Sequence, residues 1–108
     1  MIGYLWLIGA ILAEVTATVS LKLSEGFTKV VPSTLVVLGY AFAFFALSRV
    51  LKAGLPIGVV YAVWAAAGVA LVALIGALFL AEPLGPLAIA GLVLVIAGVV
   101  LLEIGTSQ

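Results

Sequence analysis

Residues 4–22, YLWLIGAILAEVTATVSLK, set one carboxylate, Glu14, in the middle of an otherwise apolar run. From Tyr4 to Leu21 the only ionisable groups are that carboxylate and the Tyr4 phenol. A run of this length crosses a bilayer as a helix, because the hydrocarbon layer takes about 20 residues at ~1.5 Å each. Glu14 then falls near mid-membrane, where a charged side chain costs roughly 2.5–3.5 kcal/mol on insertion scales. Two readings meet that cost. Either the carboxylate is a functional group facing a cavity or partner, or its protonated form makes a hydrogen bond to a neighbouring helix.

The rest of the chain has the composition this segment leads one to expect. Of 108 residues, 68% are hydrophobic and 7% charged, against about 25% charged in soluble domains. The chain is therefore read as an all-α integral membrane protein. Four spans of about 20 residues would use roughly 80 positions, leaving short connections, a single transmembrane domain over residues 1–108 and no aqueous domain. There is no cysteine and no histidine, which excludes disulfides, thiolate chemistry and the usual transition-metal sites, so no metal or cofactor is expected. The formal net charge is zero, and no basic surface recommends nucleic acid as a partner. The opening MIGYLW lacks a basic n-region and a small-x-small cleavage site, so the first span is expected to stay in the mature protein.

Periodicity and turn residues predict helices over about 2–21, 31–50, 57–80 and 87–104. In the first, Glu14 shares a face with Leu7, Ala10, Ile11, Ala17, Thr18 and Leu21. Small residues one turn above and below it leave room for a ligand or let another helix come close, and both uses remain open. In the second helix, Tyr40 and Phe44 are four apart and share a face. They serve as an aromatic wall of a site or as packing. Arg49 and Lys52 mark its end.

The third segment carries Tyr61 and Trp64, three apart, followed by Ala65, Ala66, Ala67 and Gly68. Trp64 lies about eight residues past Pro56, or ~12 Å into the span, deeper than an interfacial aromatic belt. A site role is expected for it. In the connection AEPLGP, Glu82 is expected to be a solvated loop charge, with Pro83 and Pro86 marking a break and a new helix start. The fourth segment offers no chemistry, but Gly91 and Gly98 stand seven apart with Ala90 and Ala97 beside them. Such a small-residue stripe suits close approach of helices, and we expect an oligomer interface there. Glu103 is expected at the membrane edge.

One four-helix bundle of this size encloses little volume against the roughly 300–1,000 Å³ of a drug-sized cavity, so a shared chamber between two copies is expected. The loop charges bear on how the copies are oriented. Lys22 and Lys29 fall on one side of the membrane, and Arg49 and Lys52 on the other. By the positive-inside rule this is a near tie, so the chain is able to insert both ways and an antiparallel dimer becomes available.

AILAEV around Glu14, KLSEGFTKVVPS from Lys22 to Ser33, Tyr40, YAVW from Tyr61 to Trp64 and GLVLVIAG from Gly91 to Gly98 together resemble the small multidrug resistance transporters of bacterial inner membranes. The resemblance spans essentially the whole chain. It implies a multi-pass, four-helix protomer in an antiparallel, dual-topology homodimer that exchanges protons for lipophilic organic cations. It implies that Glu14 binds protons and substrate in turn, with Tyr40, Tyr61 and Trp64 as aromatic partners and Tyr4 as a further lining residue. Guanidinium exporters of that family carry a tryptophan three residues after the glutamate and a serine in the second span. Ala17 and Ala43 stand there instead, so the resemblance is to the quaternary-ammonium multidrug branch. The chain also has Val31 in place of a loop tryptophan, Ala17 and Ala66 in place of glycines.

Three alternatives to a homodimeric multidrug carrier remain. They are a guanidinium-ion exporter, one subunit of a heterodimeric small transporter, and a small cation channel with Glu14 as its selectivity ring. An enzyme is not expected, since no nucleophile, base and oxyanion set is recognisable.

Overall fold

The computed structural model describes residues 2–106 and is all-helical: α1 is Ile2–Leu23, α2 Val30–Lys52, α3 Ile57–Phe79 and α4 Pro86–Thr106. All four helices are long and apolar enough to cross a membrane. α1 and α2 run about two residues past their expected ends. The extension brings Lys22 into the last turn of α1, and Arg49 and Lys52 into that of α2. Cations there meet the negative pole of the helix, which favours continuing the helix through them. The described residues form two compact units, one of α1 with α2 and one of α3 with α4.

In the first unit, α2 buries Val36, Ala43, Ala46 and Val50. With Gly39 this is an alternation of three and four residues, the spacing of a straight helix–helix seam. α1 buries Gly3, Leu7, Ala10, Ile11, Val15, Ala17 and Ser20. Small side chains let the backbones approach, and Gly39 marks the tightest point among the glycines of this hairpin. A Cβ there would lie 2.8 Å from the Ala17 Cβ and 3.0 Å from the Ala13 carbonyl oxygen. Lipid tails are as apolar as leucine, so helices in a bilayer are held by this kind of contact rather than by exclusion of water. At the end where α1 begins and α2 finishes, Trp6 meets the Phe45 ring edge-on at 5.9 Å and the Phe42 ring at 6.4 Å. The Arg49 guanidinium stands 5.3 Å from the Phe45 centroid, a cation–π contact at a terminus from which a long side chain reaches water.

The α1–α2 turn is built on Ser24, which is fully buried. Glu25, Gly26 and Phe27 follow it with φ of 48°, 73° and 67°, a left-handed run of which only the glycine is free of steric cost. Ser24 holds that run from both sides. Its hydroxyl donates to the Leu21 carbonyl at 2.7 Å and accepts the Phe27 N–H at 3.0 Å, while its carbonyl accepts Thr28 N–H at 2.9 Å and Lys29 N–H at 3.2 Å.

In the second unit, α3 closes with Leu80 N–H and Glu82 N–H both donating to the Gly76 carbonyl, at 3.1 and 3.0 Å. Ala81 sits at φ 55° between them, a left-handed residue just past the helix end with alanine where glycine is usual. This turn also positions Glu82. It remains an exposed loop residue, as expected, with its Oε1 turned back over the last turn of α3, 2.7 Å from where a Gly76 Cβ would stand. No residue of α4 from Pro86 to Gly105 is buried.

The two turns predict stability changes of opposite sign. Ala81→Gly removes the left-handed strain on alanine and should raise the melting temperature in detergent, by about 1 kcal/mol of stability. Ser24→Ala takes away the acceptor of the Phe27 N–H and should lower it by about 1 kcal/mol or more.

Candidate functional site

Glu14 lies at the middle of α1, half-buried. Thr18 follows one turn later on the same face, and its hydroxyl donates to Glu14 Oε2 at 2.5 Å. The same Thr18 Oγ1 lies 2.6 Å from the Tyr40 hydroxyl, which comes from α2. A threonine hydroxyl has one hydrogen. With that hydrogen committed to the carboxylate, Tyr40 is the donor of the second bond, and the chain of donation runs from Tyr40 to Thr18 to Glu14. Both separations are within O–H···O hydrogen-bond reach. Three polar groups in an apolar hairpin thus satisfy one another.

What brings Tyr40 within reach is the residue before it. Gly39 lets α2 settle against Ala13 and Ala17, so the next residue along each helix, Thr18 on α1 and Tyr40 on α2, can touch. Of the other candidates in this unit, Ala10 is fully buried one turn before Glu14, whereas Tyr4 and Phe44 are 49% and 60% exposed. In the second unit Trp64 and Tyr61, three apart and neighbours on the helix surface, differ in burial: Trp64 is 6% exposed and Tyr61 63%. A Cβ built on Gly91 or Gly98 would meet nothing within 4 Å. Within the α3–α4 unit neither glycine serves helix packing. Among the described residues, no group of three or more His, Cys, Asp or Glu side chains could hold a metal.

Sequence reasoning assigned no role to Trp6 or Gly39. The signal for Trp6 was the spacing of its partners, since Phe42, Phe45 and Arg49 recur at three and four residues. Gly39 had only a weak one, a lone glycine beside the one tyrosine of α2.

A family model described as Small Multidrug Resistance protein matches residues 2–95. The chain is 46% identical over 104 residues to the Quaternary ammonium compound-resistance protein QacE of Escherichia coli, covering 96% of this chain and 94% of that one. It is 46% identical over 101 residues to the Multidrug resistance protein mmr of Mycolicibacterium paratuberculosis, covering 94% of each. It is 43% identical over 102 residues to the Multidrug resistance protein EbrA of Bacillus licheniformis, covering 94% of this chain and 96% of that one. The likeness is therefore of full length on both sides.

The bridging place of Thr18 predicts an order of effects. Thr18→Val keeps the shape but leaves both the Glu14 carboxyl and the Tyr40 hydroxyl short of a partner, a loss of about 1–3 kcal/mol of stability. Tyr40→Phe removes only the outermost donor and should cost about 1 kcal/mol. Melting temperatures in detergent should fall in that order, and equal losses would mean that Thr18 does not join the two groups.

Proposed function

The chain belongs to the Small Multidrug Resistance protein family, multi-pass membrane transporters and not enzymes, and on that premise we propose that it is a proton-coupled antiporter. It exports hydrophobic and quaternary ammonium cations by alternating access. The observation that carries this reading is Glu14, a carboxylate within a membrane span that is held by a hydroxyl chain from Thr18 and Tyr40. Multidrug and quaternary ammonium resistance in the names of full-length relatives supports the substrate class.

The chemistry is competition for one carboxylate. An ionised carboxylate accepts hydrogen bonds only, so Thr18 points its hydrogen at Glu14 and Tyr40 donates to Thr18. A protonated Glu14 is itself a donor, and Thr18 is then free to turn its hydrogen towards Tyr40. The hydroxyl chain therefore accommodates both states without moving a helix. A lipophilic cation takes the proton's place by neutralising the carboxylate, and it gains about 0.5–2 kcal/mol from each aromatic face it covers. Tyr4, Tyr40, Phe44, Tyr61 and Trp64 supply those faces, and Ala10, one turn before Glu14, is the small residue of the same lining. Because a proton and a cation exclude each other at Glu14, downhill proton entry expels the drug.

The working unit is an antiparallel homodimer in the bacterial inner membrane, each chain acting as one transporter domain. The near balance of Lys22 and Lys29 against Arg49 and Lys52 supports insertion in both orientations. The unpacked Gly91 and Gly98 of an α4 exposed along its length support α4 as the contact between copies. The two chains then exchange conformations to open the chamber to either side.

In proteoliposomes with an imposed pH gradient, the protein should concentrate tetraphenylphosphonium, and Glu14→Gln should abolish this, since an amide neither ionises nor neutralises a cation. Accumulation by the Gln variant would make Glu14 structural and sink the reading. Trp64→Ala should weaken cation binding by about 1–2 kcal/mol with the dimer intact. Gly98→Leu should instead yield monomer on cross-linking in detergent. The opposite pairing of outcomes would mean that site and interface have been assigned to the wrong helices.

A further inference from the structure

The contact between Gly39 and Ala17 lies immediately beside the hydroxyl chain, and the two features share one geometry. Residues 17 and 39 touch, and residues 18 and 40, next along each helix, are hydrogen-bonded at 2.6 Å. A Cβ on Gly39 would stand 2.8 Å from the Ala17 Cβ and 3.0 Å from the Ala13 carbonyl oxygen. A methyl carbon has no other rotamer and a helix carbonyl is fixed, so neither can swing aside. Relief has to come from the helices parting. Relaxing the 2.8 Å approach to the ordinary contact range of 3.4–4 Å separates them by roughly 1 Å, which carries a 2.6 Å bond past the ~3.0 Å reach of an O–H···O interaction. The side chains cannot follow. Thr18 is β-branched, with its hydroxyl already bound to Glu14, and Tyr40 is a rigid ring.

We infer that Gly39 and Ala17 form a size-matched pair, one methyl shared between two facing positions, and that this pair positions Tyr40 on Thr18 and so sets the hydrogen-bond chain to Glu14. The inference rests on the reading of Glu14 as the proton- and cation-binding group. Gly39 touches no substrate; it is a positioning residue acting through Tyr40. Gly9 supplies a control on the same hairpin. A Cβ there meets only Phe42 Cε2 at 3.7 Å, an ordinary contact.

The test uses the full chain in lipid nanodiscs with 13Cζ-labelled tyrosine, and tetraphenylphosphonium as the probe cation. Thr18→Val defines the Tyr40 resonance when the Thr18 bond is absent. Gly39→Ala should move the Tyr40 resonance to that position and weaken probe binding roughly five- to tenfold, the effect of losing one hydrogen bond. Gly9→Ala should change neither. The exchange variant Ala17→Gly/Gly39→Ala has the same number of methyl groups and should return the resonance and the affinity most of the way, with a residue of the shift from the 3.0 Å approach to Ala13. An unmoved Tyr40 resonance in Gly39→Ala, or an exchange variant that stays at the Thr18→Val position, overturns the pairing. If Gly39→Ala alone does not assemble, the exchange variant decides in the same way. Probe binding that persists in Glu14→Gln would sink the functional reading instead, while the resonances would still decide the positioning role.

Discussion

The hydrocarbon layer has no water to solvate a carboxylate, and that constraint reaches from Glu14 into the rest of the hairpin. A polar group in such surroundings needs an internal partner, and each one left over costs several kcal/mol. The Thr18 hydroxyl answers Glu14 from within α1, yet the hydroxyl then needs a partner of its own. Tyr40 provides it from α2. A group at the middle of one helix thereby dictates what stands at the middle of its neighbour, and how closely the two backbones run. The glycine at position 39 and the alanines at 13 and 17 follow from that requirement as much as from the general need of membrane helices for small residues where they touch.

The second unit handles the same solvent differently. α4 has no buried residue from Pro86 to Gly105 and no ionisable group before Glu103, so nothing in its chemistry obliges it to find a partner within the chain. Among the described residues of its unit, nothing lies within 4 Å of a Cβ built on its glycines. A glycine in a helix interior is unfavourable by roughly 0.5–1 kcal/mol relative to alanine, and two of them seven residues apart imply an offsetting contact. In the proposed dimer a second α4 provides it.

Much of the architecture was legible in the sequence because its signals are local. The apolar runs, the turn at Ser24–Lys29 and the prolines around Glu82 set the number of helices and their order, and a lone carboxylate at the centre of a span singles itself out. The misreadings arose where a neighbour decides. Lys22 and Lys52 ended the apolar pattern but not the helices, since cations favour a helical C-terminus. Glu82 is the exposed loop charge that the prolines around it predict, but its turn back towards Gly76 was not legible, because it depends on Ala81 adopting a left-handed backbone. Thr18 and Tyr40 were each visible as candidates, but their bond was not, because it depends on how α1 and α2 cross, and that crossing is set at Gly39.

The proposed exchange of proton for cation asks whether two unlike ligands can have comparable hold on one carboxylate. A proton makes Glu14 neutral and lets it stay in the hydroxyl chain as a donor. A quaternary ammonium ion neutralises the charge but has no N–H, so it offers no hydrogen bond in return. Within the hydroxyl chain the two states are level, since the ionised carboxylate beside the cation still accepts from Thr18 and the chain keeps two bonds in either direction. One or two aromatic faces at about 0.5–2 kcal/mol each then add to the hold on the cation alone. An aromatic-lined carboxylate therefore suits cations whose charge is buried in hydrocarbon, whereas a small, strongly hydrated cation would lose its water and gain little from the rings. On this argument the proposed preference for lipophilic cations follows from the solvent around Glu14 and the rings proposed to line it, without any pocket shaped to one molecule.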